Sequence, residues 1–364
     1  MLRLSPGSEK RLWKRVRLSL CFLGLSLLMG TLTFAVYSCS SLTSWPLPGW
    51  TVMPLSIPPY KKPTPAPITQ EPSGISSPQL PLPQSSFFVA YPHRYHFIVD
   101  EPNRCDQESP FLVVIVPVPP HNRDVRNIIR STWGKHTTVL GQVVSYYFLL
   151  GLSSVGDGRQ HPEEQILLES QKHHDILQSD FQDSYKNLTI KTMLMFEWIS
   201  THCPNTSYAM KIDSDIFFNV HNLVRMLLKA PRHLYMTGLV VRNAQVLRDP
   251  NSKWFVPSAV FPESTYPPYP MGLGYVFSLD LPRRILEVST HIRAIYIEDV
   301  HVGLCMRHLG IALTDPPRGG LFVAAMPQTT SQCYWVSVIT TMLWRSEQLL
   351  DVWKTYENQT QSDC

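Results

Sequence analysis

Residues 18–37 read LSLCFLGLSLLMGTLTFAVY, a stretch without a single charged side chain. A helix of that length spans the hydrocarbon core of a bilayer. Lys10, Arg11, Lys14, Arg15 and Arg17 crowd its N-terminal side, and the next basic residues beyond it are Lys61 and Lys62. Cytoplasmic flanks carry the excess of Lys and Arg, so residues 1–17 are expected in the cytosol and everything beyond the span in a lumen. A cleaved signal peptide is the competing reading, but the apolar run is long for one and no Ala-x-Ala-like site succeeds it cleanly.

The segment after the span does not read as a core. Many of the 32 prolines fall in residues 38–90, as WPLPGW, SIPPYKKPTPAP and SPQLPLPQSS. Such a segment buries too little apolar surface to fold, and its prolines favour extended chain. It is expected to be a stem holding a folded domain, residues 91–364, away from the bilayer. A proline-rich ligand for cytosolic domains conflicts with the lumenal topology. The net charge of +4 is accounted for by the basic N-terminus, so the folded part has no electrostatic case for nucleic acid.

From residue 91 the pattern changes. Phe111–Val118 is a continuous apolar run, as a strand buried on both faces should be. Asn122–Trp133 has helical spacing with Val125, Ile128 and Ile129 on one face. A strand is expected over Val143–Leu150, helices near 163–171 and 185–202, and a third strand over Tyr208–Ile212. Alternation of this kind argues an α/β domain with a mostly parallel central sheet flanked by helices, whose ligands bind beyond the carboxyl ends of the strands.

Asp213-Ser-Asp215 stands at such an end. Two carboxylates two residues apart can aim at one hard cation, Mg²⁺ or Mn²⁺, and its phosphates. A DxD is by itself most often a solvated turn. Its place between the strand and the apolar Ile216-Phe217-Phe218 is what singles this one out. Glu298-Asp299 also interrupts an apolar frame, Ile295–Val302. Burying a carboxylate is costly unless it is paired or functional, and a raised pKa suits a general base; a helix cap or a salt bridge is the plainer alternative. Arg126 and Arg130 share a helical face and could clamp phosphates, or lie on a solvated face. Tyr266-Pro-Pro-Tyr269, leading to Gly272 and Gly274, could bring backbone and aromatic rings against a sugar, or form an ordinary turn.

Cys21 lies in the span and Cys39 at its edge; Cys105, Cys203, Cys305, Cys333 and Cys364 lie beyond it. A lumenal compartment is oxidising, so disulfides are expected, and no spacing matches a zinc site. Asn187, Asn205 and Asn358 each begin a glycosylation sequon.

Together the segments YHFIVDEPNRC, FLVVIVPV, RNIIRSTWG, YFLLG, DSYKNLTIKT, MKIDSDIFFNV, SKWFVP, YPPYPMGLGYVFS and EDVHVGLCMRHLGI resemble the animal β-1,3-galactosyltransferases. The resemblance runs from about Tyr95 to Leu313 and resumes weakly near the C-terminus. It implies a GT-A, Rossmann-like fold, a Golgi membrane protein of single-pass type II topology, and UDP-galactose as donor. It further implies Mn²⁺ as cofactor, inversion at the anomeric carbon, and an acceptor glycan, terminal N-acetylglucosamine, on glycoprotein or glycolipid. An oligomer is compatible with it. By the same resemblance Asp215 looks like the direct metal ligand, with Asp213 nearer the nucleotide. Asp299 looks like the catalytic base, with Glu298 beside it. Arg126, Arg130 and Lys191 are implied to adjoin the donor. Trp254, Tyr269, Gly272 and Gly274 are implied to line the acceptor and donor pocket. The resemblance implies a Cys105–Cys203 bridge; a second, Cys305–Cys333, is expected, leaving Cys364 free or paired outside the chain.

Three departures mark this chain. Met342 stands where family members usually carry a His that looks like a further metal ligand, and a thioether is a poor ligand for Mn²⁺. The Asn-His-Trp run usual before the cysteine matching Cys333 is absent, and residues 314–332 do not align. Pro270 replaces a cysteine common in the glycine-rich loop of galactose-transferring members. Two other readings therefore stand beside galactose transfer: use of UDP-N-acetylglucosamine, and a weakened member serving as a binding partner or chaperone in the secretory pathway.

Overall fold

The structure is a computed structural model that describes residues 87–153, 162–362 and 364, all within one compact unit. The expected tail, membrane span and nearly all of the stem lie outside the described residues. Among those described, no helix is long and apolar enough to cross a membrane.

The chain runs β1 (Phe97–Val99), α1 (Arg104–Glu108), β2 (Leu112–Pro117), α2 (Arg123–Ser131), β3 (Thr138–Val139), β4 (Gln142–Leu152), α3 (Pro162–His173), β5 (Ile176–Gln182) and α4 (Leu188–His202). It continues with β6 (Tyr208–Ile212), β7 (Ile216–Phe218), α5 (Val220–Leu227), β8 (Met236–Val241), β9 (Tyr269–Ser278), α6 (Leu281–Ser289) and α7 (Glu298–Leu309). Last come β10 (Phe322–Val323), α8 (Tyr334–Ser337), β11 (Thr340–Met342) and α9 (Gln348–Thr360).

The main sheet has the order β1-β5-β4-β2-β6-β9-β8, with β3 paired to β4. Its centre, β5-β4-β2-β6, is parallel, because helical crossovers return the chain to the same end of the sheet before each strand. Strands β1, β9 and β8 pair antiparallel, so the fold is α/β with a central sheet that is only largely parallel. Strand β2 shows why the apolar run is continuous. Leu112, Val114 and Val116 pack into the core with Trp133 and Ile129 of the α2 side, while Val113 and Ile115 pack with Phe196, Trp198 and Ile199 of α4. Each such side chain contributes roughly 1.5–3 kcal/mol by leaving water. Helix α4 is buried nearly all round, and the turn before it, Tyr185–Asn187, is 3₁₀ rather than the α-helix expected from residue 185.

Folded structure begins a little before residue 91. Val89 is 4% exposed and packs in the cluster that holds Phe181 and Ile190. Phe87 meets Phe255 edge-on at 5.4 Å. The boundary drawn from composition misses these residues because Ser85 and Ser86 just before them continue the stem's pattern.

Residues 314–342, which include the stretch that the resemblance left unaligned, supply two strands of a second small sheet, β10-β11-β7. Strand β11 pairs antiparallel with β7, the strand just past the DxD, so Met342 lies opposite Ile216. Helices α8 and α9 pack against this sheet: Phe217 of β7 meets Trp335 of α8 at 4.8 Å and Tyr356 of α9 at 5.5 Å.

Cys105 and Cys203 are bridged as expected. The second bridge is Cys333–Cys364, not Cys305–Cys333. Cys305 is a buried free thiol in the middle of α7, and burial pushes that thiol up to about 12, which leaves it unreactive. Spacing carries no information on such pairings; the return of α9 to α8 decides this one.

Candidate active site

Three chain segments meet at the carboxyl end of β6. Strand β9 pairs with β6 in a register that sets Ile212 opposite Gly274, and Asp213 donates its backbone N–H to Leu273 O at 3.2 Å. The DxD therefore emerges beside Gly272. Helix α7 begins at the same point, with Glu298 and Asp299 in its first turn, where the positive end of the helix favours carboxylates. The result is a cleft of about 640 Å³ whose walls include Asp213, Asp215, Lys211, Gly272, Glu298, Asp299, Trp254, Tyr266, Tyr269, Tyr296 and Met342.

Two acidic pairs 83 to 86 residues apart in sequence thus share one cavity. Asp299 is held by two backbone donors: Gly272 N–H reaches its Oδ2 at 2.9 Å and Val300 N–H its Oδ1 at 2.8 Å. Burial raises its carboxyl above the ordinary value, against the pull of those donors and of Lys211. Glu298 is deeper. Its Oε1 pairs with Lys211 Nζ at 2.9 Å. Its Oε2 accepts from Tyr275 Oη at 3.2 Å and from Thr192 Oγ1 at 3.3 Å. Burial raises Glu298 as well, opposed by Lys211. Glu298 is buried and tied to side chains of β6, β9 and α4, whereas Asp299 is held only by backbone N–H groups and is the more exposed of the two, which makes it the acid that can serve a substrate. A side chain at position 272 would stand 3.0 Å from Glu298 Oε1 and 3.3 Å from Asp299 Oδ2, so only glycine lets the strand lie this close to both acids.

Beside this pair, Asp213 Oδ1 accepts from Lys211 Nζ at 2.6 Å. Asp215 makes no ion pair among the described residues. Burial and the neighbouring Asp213 raise its carboxyl, the condition a divalent cation relieves. Among the described residues no three His, Cys, Asp or Glu side chains converge on a metal position. Met342 lines the same cleft, and its thioether is a poor ligand for a hard cation. The donor set therefore fits a cation bound through one or two carboxylates and completed by phosphate oxygens and water, the usual pattern for Mg²⁺-like ions.

Several expected site residues lie elsewhere. Arg126 is 1% exposed and forks onto Glu169 with bonds of 2.8 and 2.7 Å. Arg130 does the same to Asp175, at 2.7 Å twice. Bidentate pairs of this kind are among the strongest side-chain contacts, and neither guanidinium lines the cleft. Lys191 donates to Asp183 Oδ2 at 2.7 Å and Val118 O at 3.0 Å, tying together the ends of β2 and β5 behind the cleft. Gly274 belongs to the core: a side chain there would meet Met210 Cε at 3.0 Å. Trp254, half-exposed at the rim, and Tyr269 do line the cleft. Of the sequons, Asn205 and Asn358 are exposed, whereas Asn187 is half-buried and donates to Gln182 O at 2.8 Å.

Sequence reasoning misses Lys211, and with it Tyr185, Lys253 and Tyr296 of the lining. A signal for Lys211 exists: a lysine inside an apolar strand is almost never fully buried unless paired.

Comparison with known proteins bears on this arrangement. The galactosyltransferase family profile matches residues 124–317. Beta-1,3-galactosyltransferase 2 of Homo sapiens is 38% identical over 281 residues, 76% of this chain and 66% of that protein's length. Beta-1,3-galactosyltransferase 1 of Mus musculus is 39% identical over 276 residues, 75% of this chain and 82% of that protein. Among solved structures, 4-diphosphocytidyl-2C-methyl-D-erythritol synthase from Anaerococcus prevotii DSM 20548 matches with a TM-score of 0.34 at 13% identity, over 57% of this chain and 86% of that one. That likeness is too slight to bear on function.

Proposed function

The chain belongs to the galactosyltransferase family of hexosyl-transferring enzymes, and from that premise we propose that it moves galactose from UDP-galactose, in β-1,3 linkage and with inversion, to an acceptor sugar such as terminal N-acetylglucosamine. The observation that carries the reading is that Asp213, Asp215 and Asp299 line one cleft. On this reading the domain is of the GT-A type.

Inversion in one displacement needs a group to take the proton of the acceptor hydroxyl as the new bond to the anomeric carbon forms and the bond to UDP breaks. Asp299 is that group. Its two backbone hydrogen bonds fix the carboxylate, burial raises its affinity for a proton, and such a base contributes typically 10²–10⁴-fold. Trp254 and Tyr269 offer faces for stacking sugar rings. Asp215, with Asp213 beside it, would hold Mn²⁺, which would supply Lewis-acid stabilisation of the departing diphosphate.

A second reading, a weakened member acting as a binding partner, is favoured by Met342 in the cleft. Introducing an imidazole there separates the two. Met342→His is expected to lower the Mn²⁺ concentration giving half-maximal rate by about tenfold, as for one added ligand. No change would show that position 342 has no part in cation binding. Donor choice is tested by offering UDP-galactose and UDP-N-acetylglucosamine in competition to the purified lumenal part of the chain. Galactose should appear on the acceptor in excess; the reverse would replace the reading, and transfer of neither would favour the binding protein.

The same reading places the protein in the Golgi membrane, anchored by residues 18–37 with the domain lumenal. Its support is the charge asymmetry around that apolar run. In sealed microsomes the domain should resist added protease until detergent is present; digestion without detergent would contradict this topology.

A further inference from the structure

Both acidic walls of the cleft meet on one side chain. Lys211 points out of β6 on the face that packs against α7, and its side chain is 4% exposed. An ammonium has three protons and this one finds three acceptors: Asp213 Oδ1 at 2.6 Å, Glu298 Oε1 at 2.9 Å and the carbonyl of Gly272. The peptide segment at Gly272 is thereby held at both ends, because its own N–H donates to Asp299 Oδ2. Burial works against the charge of Lys211, but Asp213 and Glu298 outweigh it and keep the ammonium protonated.

We propose that Lys211 is a positioning residue for transfer: by bracing Gly272 and Glu298 against Asp213 it sets the carboxylate of Asp299 at a fixed distance from the donor. The competing role is a counter-charge that merely allows Glu298 to be buried, as buried ion pairs often do. The two roles differ in what survives when both charges are removed. A counter-charge is dispensable once Glu298 is neutral. A brace is not, since the Gly272 carbonyl loses its side-chain tie to β6, and a misplacement of about 1 Å can cost about 10²-fold in rate.

The inference rests on the proposed galactose transfer. The test compares Glu298→Gln with the double variant Lys211→Met/Glu298→Gln in the full chain. Thermal midpoint, UDP affinity, donor KM and kcat of transfer are measured for each. The double variant should melt no lower than Glu298→Gln, because it no longer buries an under-paired ammonium. Its kcat should fall about 10²-fold below that of Glu298→Gln, with UDP affinity and donor KM within about threefold. Equal kcat in the two variants would make Lys211 a counter-charge only and overturn the proposal. A loss confined to UDP affinity, or a double variant that does not fold, would overturn it too, assigning Lys211 to donor binding or to the scaffold. Absence of transfer by the unmutated protein would instead sink the functional reading, so the two failures are distinguishable.

Discussion

Asp215→Asn is expected to lower the transfer rate by at least about 10³-fold, or ~4 kcal/mol of transition-state stabilisation. Asparagine keeps the shape and one oxygen but not the charge, so the cation and the diphosphate lose their protein anchor. Stability should not fall with activity. The carboxylate of Asp215 is partly desolvated beside Asp213, and removing one of two like charges relieves repulsion rather than creating it. An unchanged or higher melting temperature together with a lost rate is therefore the signature of a functional acid. A near-normal rate of Asp215→Asn in Mn²⁺ would show that the metal assignment is wrong.

Asp299→Asn should cost at least about 10²-fold in transfer, while UDP binding, assigned here to Asp213 and Asp215, stays close to that of the unmutated protein. Part of the loss is geometric. Both oxygens of Asp299 accept from backbone N–H groups, Gly272 and Val300. An asparagine can satisfy only one of them and turns its own NH₂ on the other, at about 1–3 kcal/mol. Glu298→Gln should behave differently. Glu298 has its oxygens committed to Lys211, Tyr275 and Thr192, so its replacement lowers stability more and the transfer rate less. Calorimetric titration with UDP, alongside kinetics of both variants, checks the pair of expectations. A larger rate loss in Glu298→Gln, or lost UDP affinity in Asp299→Asn, would exchange or dissolve these roles.

Much of this site is legible in the sequence because its acids break apolar runs. Asp213 and Asp215 follow a strand buried on both faces, and Glu298-Asp299 opens a buried helix, so their place within apolar runs separates them from ordinary surface carboxylates. The same logic reaches β2, β6 and α4, whose patterns are set by the two-sided sheet. It fails for Arg126 and Arg130. Their helical spacing is plain in the sequence, but what faces them is Glu169 and Asp175, about 40 residues on, and no local pattern announces that pairing. Lys211 escapes notice because one lysine among five strand residues reads as noise until its three acceptors are in place. Resemblance singles out position 342, yet its arrival opposite Ile216 depends on β11 pairing with β7, over 100 residues earlier in the chain. The Cys333–Cys364 bridge likewise arises from the way α9 folds back, which is long-range packing and not spacing.

Transfer as proposed is a single displacement, with Asp299 taking the acceptor proton. Its most direct test is the anomeric configuration of the first product, observed by NMR as the protein consumes UDP-α-galactose in the presence of an N-acetylglucosamine acceptor. One inverting step predicts a β-galactoside linked to the 3-hydroxyl from the earliest time point. An α-configured product would require a second displacement and an enzyme nucleophile, and would contradict the role given to Asp299.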